Sequence, residues 1–272
     1  MRLKIFSCHH VLPSYVLSTE IFQTLVSGIE VPDGSGAETD IAGINIADDN
    51  DFSELRHQYF IWKNRISEFD YIGFEHYRRP FLIDPLDART AQSLMPPLLA
   101  LRRHYHANPA WALVVDDSIM ADYFGVRKHL TPAEVARVKT WIAGLDIVTT
   151  CGDRLPIDDQ WRLCHDPALW PEIVRLVRAS PYFADRECFI DFSLRNSHFR
   201  NMYIMRADLY AEYMSFCFGI LFEMRDVLAI RSQRLYGYVS ERLFSLFMHQ
   251  KRVENPYLRV HELPVLVARS SL

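Results

Sequence analysis

Two neighbouring arginines, Arg78 and Arg79, stand just after an apolar run in the stretch Asp70-Tyr71-Ile72-Gly73-Phe74-Glu75-His76-Tyr77-Arg78-Arg79. Adjacent guanidiniums offer forked donors that match phosphate oxygens. The run before them reads as a buried strand, with Pro80 breaking the pattern behind it. Ligands of open α/β sheets bind beyond the carboxyl ends of strands, so position and chemistry agree on an anion site. The competing reading pairs Arg78 and Arg79 with carboxylates such as Glu75 or Asp84 and packs Tyr77 in the core. His9 and His10 end an earlier apolar run in the same way; that end could face a ligand, or they could be ordinary surface histidines. Asp48, Asp49 and Asp51 lack the glycine and the terminal glutamate of a calcium loop and read as a solvated turn.

These groups need a scaffold, and the composition supplies one. The chain has 272 residues, 49% of them apolar, with 10 Gly and 14 Pro, which excludes disorder and allows a full-sized core. A net charge of −4 gives no global attraction to nucleic acid or to an acidic membrane, so any anion site must be local. The opening residues hold too short an apolar stretch for a signal peptide, and the longest apolar run, residues 214–222, falls far short of the roughly 20 residues of a membrane-spanning helix. Five scattered cysteines, Cys8, Cys151, Cys164, Cys188 and Cys217, suit reduced thiols better than disulfides or a zinc site. A cytoplasmic protein is expected.

Residues 2–8 and 70–74 read as buried strands, 145–150 and 201–205 as two more, and 265–267 as a short last one. Between the first two, Leu55, Tyr59, Trp62 and Ile66 recur at helical spacing, with Ser53 placed to cap their helix. Thr131-Pro132-Ala133-Glu134 is a capping box that opens another helix, Asp166-Pro167 starts a third, and helices over 208–228 and 239–248 follow. Residues 84–130, interrupted by Pro96-Pro97 and Pro109, read as an irregular helical insertion. The order implies an α/β protein whose mainly parallel central sheet is flanked by helices, in one domain over 1–272. The aromatics Tyr210, Tyr213, Phe216, Phe218 and Phe222 read as core or an interface rather than a glycan platform.

Three blocks resemble a bacterial family of capsular and exopolysaccharide glycosyltransferases, long catalogued as a domain of unknown function, that includes galactofuranosyltransferases. The first runs from Tyr59-Phe60-Ile61-Trp62-Lys63-Asn64 to His76-Tyr77-Arg78-Arg79, the second from Asn201-Met202-Tyr203-Ile204-Met205 to Glu223, and the third is Gly237-Tyr238-Val239-Ser240-Glu241-Arg242-Leu243. The loop before the first helix, Asp48-Asp49-Asn50-Asp51-Phe52-Ser53, departs from the family's Gly-Asp-Asn-Ile-Ser pattern, and Pro80 replaces an aromatic residue. The resemblance implies a GT-A-like domain that transfers a hexosyl or galactofuranosyl unit from a nucleotide-diphosphate donor to a capsular, exopolysaccharide or lipopolysaccharide acceptor. A lipid-linked acceptor would bring transient docking at the inner membrane.

In that setting Arg78 and Arg79 stand where GT-A enzymes usually carry a metal-binding Asp-x-Asp. The expectation is a metal-independent reaction with no required cofactor, in which guanidiniums neutralise the leaving diphosphate. The alternative has Glu75, His76 and a residue such as His261 ligating Mn²⁺ or Mg²⁺. Donor binding is expected of His9, His10, Asp48, Asp49, Lys63, His76, Tyr77, Arg78, Arg79 and Asn201. An inverting reaction needs a carboxylate base; Glu241 is the first candidate and Asp191 the second, against ordinary roles as a helix-dipole partner and a turn cap. A catalytically inactive module that binds glycan or nucleotide in an assembly complex is the rival reading, and a sugar-phosphate phosphoesterase is a third.

Overall fold

The computed structural model describes residues 1–83, 112–184, 190–195, 197–228 and 234–271. Its main sheet has seven strands in the order β3-β2-β1-β4-β7-β6-β8: β1 (Leu3–His9), β2 (Phe22–Val26), β3 (Glu38–Thr39), β4 (Tyr71–His76), β6 (Ile147–Thr150), β7 (Tyr203–Arg206) and β8 (Val260–Leu263). A second, two-stranded sheet pairs β5 (Ala112–Val115) with β9 (Val265–Ala268) in parallel. All pairings in the main sheet are parallel except those of β7, which runs antiparallel to both β4 and β6. The expected α/β class with a mainly parallel sheet is therefore present.

Among the described residues seven helices flank it: α1 (Leu55–Asn64), α2 (Asp117–Lys128), α3 (Pro132–Ala143), α4 (Ile157–Cys164), α5 (Trp170–Ala179), α6 (Ala207–Val227) and α7 (Leu235–Glu254). Because strand side chains alternate, each central strand feeds both faces of the sheet. Phe6 and Phe74 stack with ring centres 5.6 Å apart and bury against α1, α6 and α7, while Leu3, Ile5 and Tyr71 face α2, α3 and β9. The result is a layered core with an apolar cluster on each side. Tyr210, Tyr213, Phe216 and Phe218 are buried in the first cluster, as their helical spacing requires.

Some expectations need correction. Ser53 does not cap α1: at φ 49° it closes the preceding turn, and Glu54 occupies the cap position without a side-chain cap bond. Within 84–130 the described part is a strand, β5, followed by the regular helix α2, while 84–111 lies outside the described residues. Strand β5 forms because β9 offers it a parallel partner more than 140 residues along the chain, which no local pattern reveals. The capping box is as expected, Thr131 Oγ1 accepting from the Glu134 amide and Glu134 Oε2 from the Thr131 amide. The last long helix extends well beyond 239–248 at both ends, and its first turns prove to matter. Cys8 and Cys217 are buried free thiols, Cys151 is buried, Cys164 is an exposed free thiol, and Cys188 lies outside the described residues. No described helix is long and apolar enough to cross a membrane.

Candidate functional site

The C-terminal ends of β1 and β4 lie side by side, with Cys8 paired to His76 in register. Strand alternation turns Phe74 and His76 toward the α1 side, where they meet Glu54 and Gln58 from the start of α1. The reversed strand β7 closes the opposite wall: its incoming segment delivers Arg200, Asn201 and Met202 to the same rim. These residues, with Cys8 and Glu75, line a crevice.

Positive charge converges on this rim. Arg78, Arg79 and Arg234 all act on the His76 imidazole, which burial first and then these cations push down to about 3. Arg78, Arg56 and Arg234 similarly depress His10, after burial. Arg200 lies within the field of Arg79, and burial pulls its own pKa down to about 10. Arg78 is exposed and lies over the Tyr77 ring at 4.8 Å, while the Tyr77 carbonyl accepts from Tyr15 Oη at 2.8 Å. Tyr77 is thus half-buried in a ring cluster with His9, His10 and His76 rather than packed in the core.

Glu75 settles part of the competing reading. Its carboxylate meets Arg127 of α2 at 2.7 Å with both side chains wholly buried, and its other oxygen accepts from the Phe81 amide at 3.2 Å. Glu75 is therefore committed to Arg127, and Asp84 lies outside the described residues.

Backbone strain is concentrated here as well. Among the described residues the non-glycine positions with positive φ are Ser53 (49°), Arg200 (99°), Asn201 (51°) and Arg234 (67°). All four belong to one hydrogen-bonded assembly. Arg234 Nε donates to Ser53 Oγ at 3.1 Å. Asn201 Nδ2 donates to Glu54 Oε1 at 3.0 Å and to the Gly237 carbonyl at 2.9 Å, and Asn201 Oδ1 accepts from Ser240 at 2.7 Å. Arg200 N donates to Glu241 Oε1 at 2.8 Å. Gly237 allows a close approach at this junction: a Cβ there would lie 3.1 Å from Ser53 Cβ, so Ser53 would have to give way slightly. Conformations of this kind cost energy and persist only where surrounding bonds impose them, which is common at ligand sites.

The structure thus brings His9, His10, His76, Tyr77, Arg78, Arg79, Asn201 and Glu241 to or beside one rim. Asn201 is buried and its amide is fully engaged as a strut between α1 and α7. Glu241 has both oxygens occupied, by Arg200 N and by Arg242 Nη1 at 2.8 Å, and burial raises its pKa. Asp49 caps the turn before α1 by accepting from the Asp51 amide, and Asp48 is exposed beside it; Arg56 ties this loop down through the Ala47 carbonyl and Asn50. Asp191 accepts from the amide and hydroxyl of Ser193, the local turn bond of an aspartate in a loop.

Lys63 is not part of the cluster. It sits in the last turn of α1, about 13.5 Å along the axis from Glu54 by helix geometry, with its ammonium 3.4 Å from the Trp62 ring centre. Nor do Glu75, His76 and His261 form a ligand set. Glu75 is taken by Arg127, and His261 lies on β8, three strands from β4 or about 14 Å away. Among the described residues no three His, Cys, Asp or Glu side chains converge to hold a metal. The donors on this rim fit an anion rather than a divalent cation.

His9 is buried, not a surface residue. Its Nε2 lies 3.0 Å from Ser7 Oγ, its Nδ1 has no hydrogen-bond partner among the described residues, and burial, then His57 and His10, depress its pKa to about 3. The native state holds it neutral, whereas the unfolded chain takes up the proton near the ordinary 6.5. His9 therefore costs nothing above pH 6.5 and removes stability as the pH falls from there toward 3, at up to about 1.4 kcal/mol per pH unit. Urea unfolding between pH 7 and 4 should show a His9→Asn variant losing stability with acid less steeply than the parent; equal slopes would refute the assignment.

Comparison with known proteins fits this picture. No curated protein matches the sequence. A solved structure titled "WbbM bifunctional glycosytransferase apo structure" superposes with a TM-score of 0.71 at 21% sequence identity, covering 99% of this chain and 46% of that one. The chain thus spans about half the length of that protein, and the likeness establishes the GT-A-like α/β fold. A family model described as "Domain of unknown function (DUF4422)" matches residues 4–252. With nearly its whole length matched, the chain belongs to the DUF4422 family.

Proposed function

We propose that this protein is a glycosyltransferase that moves a hexosyl or galactofuranosyl unit from a nucleotide-diphosphate sugar to a capsular, exopolysaccharide or lipopolysaccharide acceptor, with inversion and without a metal. The observation that carries the reading is the set of guanidiniums, from Arg78, Arg79, Arg200 and Arg234, gathered at the carboxyl ends of parallel strands. Cleaving a nucleotide sugar leaves charge on the diphosphate, and preorganised forked donors stabilise that charge as it develops. A metal would do the same work in other proteins of this fold; among the described residues no three His, Cys, Asp or Glu side chains converge to hold one. Support also comes from the structural neighbour, whose title names a bifunctional glycosyltransferase. A lipid-linked acceptor, a cytoplasmic location and transient membrane docking complete the proposal.

Thermal unfolding with UDP, GDP, dTDP and CMP, each with EDTA and with Mn²⁺, tests it. A ligand that binds only the native state raises the melting temperature, by an amount equivalent to about 2.7 kcal/mol at a hundred times Kd. At least one nucleoside diphosphate should stabilise the protein, equally in EDTA. Silence toward all of them would reject the donor site, and stabilisation seen only with Mn²⁺ would reject metal independence.

A further inference from the structure

We propose that Glu54, the residue before the first turn of α1, takes the proton from the acceptor hydroxyl; this inference rests on the transferase reading above. Glu54 lines the crevice together with His76 and Arg200, so its carboxylate shares a wall with the cationic rim. One oxygen, Oε1, is fixed by Asn201 Nδ2 at 3.0 Å. Asn201 is itself immobilised through Gly237 and Ser240, so the carboxylate is held from behind by a buried and fully bonded amide. The other oxygen, Oε2, has no hydrogen-bond partner among the described residues. A carboxylate on a half-buried residue lining a crevice, with one oxygen anchored and the other without a hydrogen-bond partner among the described residues, has the form required of a general base.

Glu241 has a different arrangement. Both of its oxygens are engaged, one by the Arg200 amide and one by the buried Arg242 side chain. It is a positioning residue: it holds Arg200 at its positive φ on the rim. In the proposed step the acceptor oxygen forms a bond to the anomeric carbon while the bond from that carbon to the diphosphate oxygen breaks. The bonding pair leaves on the diphosphate, facing the guanidiniums, and the acceptor proton passes to Glu54.

The test compares the parent, Glu54→Gln and Glu241→Gln. Binding of UDP, GDP and dTDP is measured by calorimetry, and transfer by release of the nucleoside diphosphate from a panel of nucleotide hexoses with n-octyl hexosides as acceptors. Glutamine at position 54 can still accept from Asn201, so Glu54→Gln should unfold within about 2 °C of the parent and bind the nucleotide within threefold. Its transfer rate should fall about 10²–10⁴-fold, the usual contribution of a general base. An acidic phenol as acceptor, which gives up its proton without help, should narrow that deficit at least tenfold, an effect that a purely structural role does not produce. Glu241→Gln should weaken binding and transfer together, with no phenol rescue. If the parent binds no nucleoside diphosphate, or binds but transfers nothing, the transferase reading itself falls. If the parent transfers and Glu54→Gln transfers equally well, or if phenol rescue belongs to Glu241→Gln, the assignment to Glu54 is overturned while the transferase reading stands.

Discussion

Replacing Arg78 and Arg79 together by alanine should abolish measurable nucleoside diphosphate binding, a loss of about 10²–10⁴ in Kd. Each charge-assisted hydrogen bond to an anion is worth about 1.5–3 kcal/mol, and each 1.4 kcal/mol is a factor of ten. The fold should be indifferent to the loss at Arg78, which is exposed and lies over the edge of the Tyr77 ring cluster. Calorimetric titration with whichever nucleotide stabilises the parent gives the readout. Lysine at both positions keeps the charge but not the planar fork, so that variant should fall between parent and double alanine. Binding by the double alanine variant at parental affinity would remove these two side chains from the site.

The second large effect lies behind the rim. Glu75 and Arg127 form an ion pair with no solvent exposure on either side chain, and the Arg127 guanidinium also lies 3.8 Å from the Phe22 ring centre. Removing one partner of such a pair leaves a buried charge uncompensated, at a cost of about 3–5 kcal/mol. For a chain of this length Arg127→Ala should therefore lower Tm by about 5–9 °C. Because Glu75 adjoins His76 at the end of β4, the same variant should also weaken nucleotide binding. Glu75→Gln combined with Arg127→Met should regain most of the stability, since a neutral pair of similar volume removes the desolvation cost as well as the attraction. Scanning calorimetry decides the matter: a single variant melting within a degree of the parent would show that the pair contributes no net stability.

Much of the scaffold was legible in the sequence because it is encoded locally. Apolar runs mark β1, β4 and β7, helical spacing marks α1 and α6, and a complete capping box marks the start of α3. The elements that escaped notice are those whose partners are remote or whose side chains are mixed. Strand β2 reads Phe-Gln-Thr-Leu-Val and is buried throughout, yet its two polar residues obscure the pattern. Strand β8, Val-His-Glu-Leu, is at the sheet edge and mostly half-buried, so it carries little apolar signal.

The site divides in the same manner. Arg78 and Arg79 could be found because they follow their strand directly. Arg200 and Arg234 could not, since neither stands in a motif and each reaches the rim only through an unusual backbone conformation. Glu54 carried a weak signal: a carboxylate immediately before an apolar helical stripe reads as a partner for the helix dipole, and only the packing of α1 against β7 gives it an address in the crevice. Lys63 failed for the complementary reason, because membership of a matched block says nothing about which end of a helix a residue occupies.

The single reversed strand has an evolutionary consequence. In an all-parallel sheet only outgoing loops reach the carboxyl edge, so whatever recognises one substrate is connected to whatever recognises another. Here β7 runs the other way, and the segment entering it arrives at that edge from the opposite direction. One side of the pocket is thus written by loops leaving β1 and β4, and the facing side by a loop arriving before β7. Descendants of this protein can revise the latter, and with it the choice of recipient molecule, while leaving the cationic lip untouched.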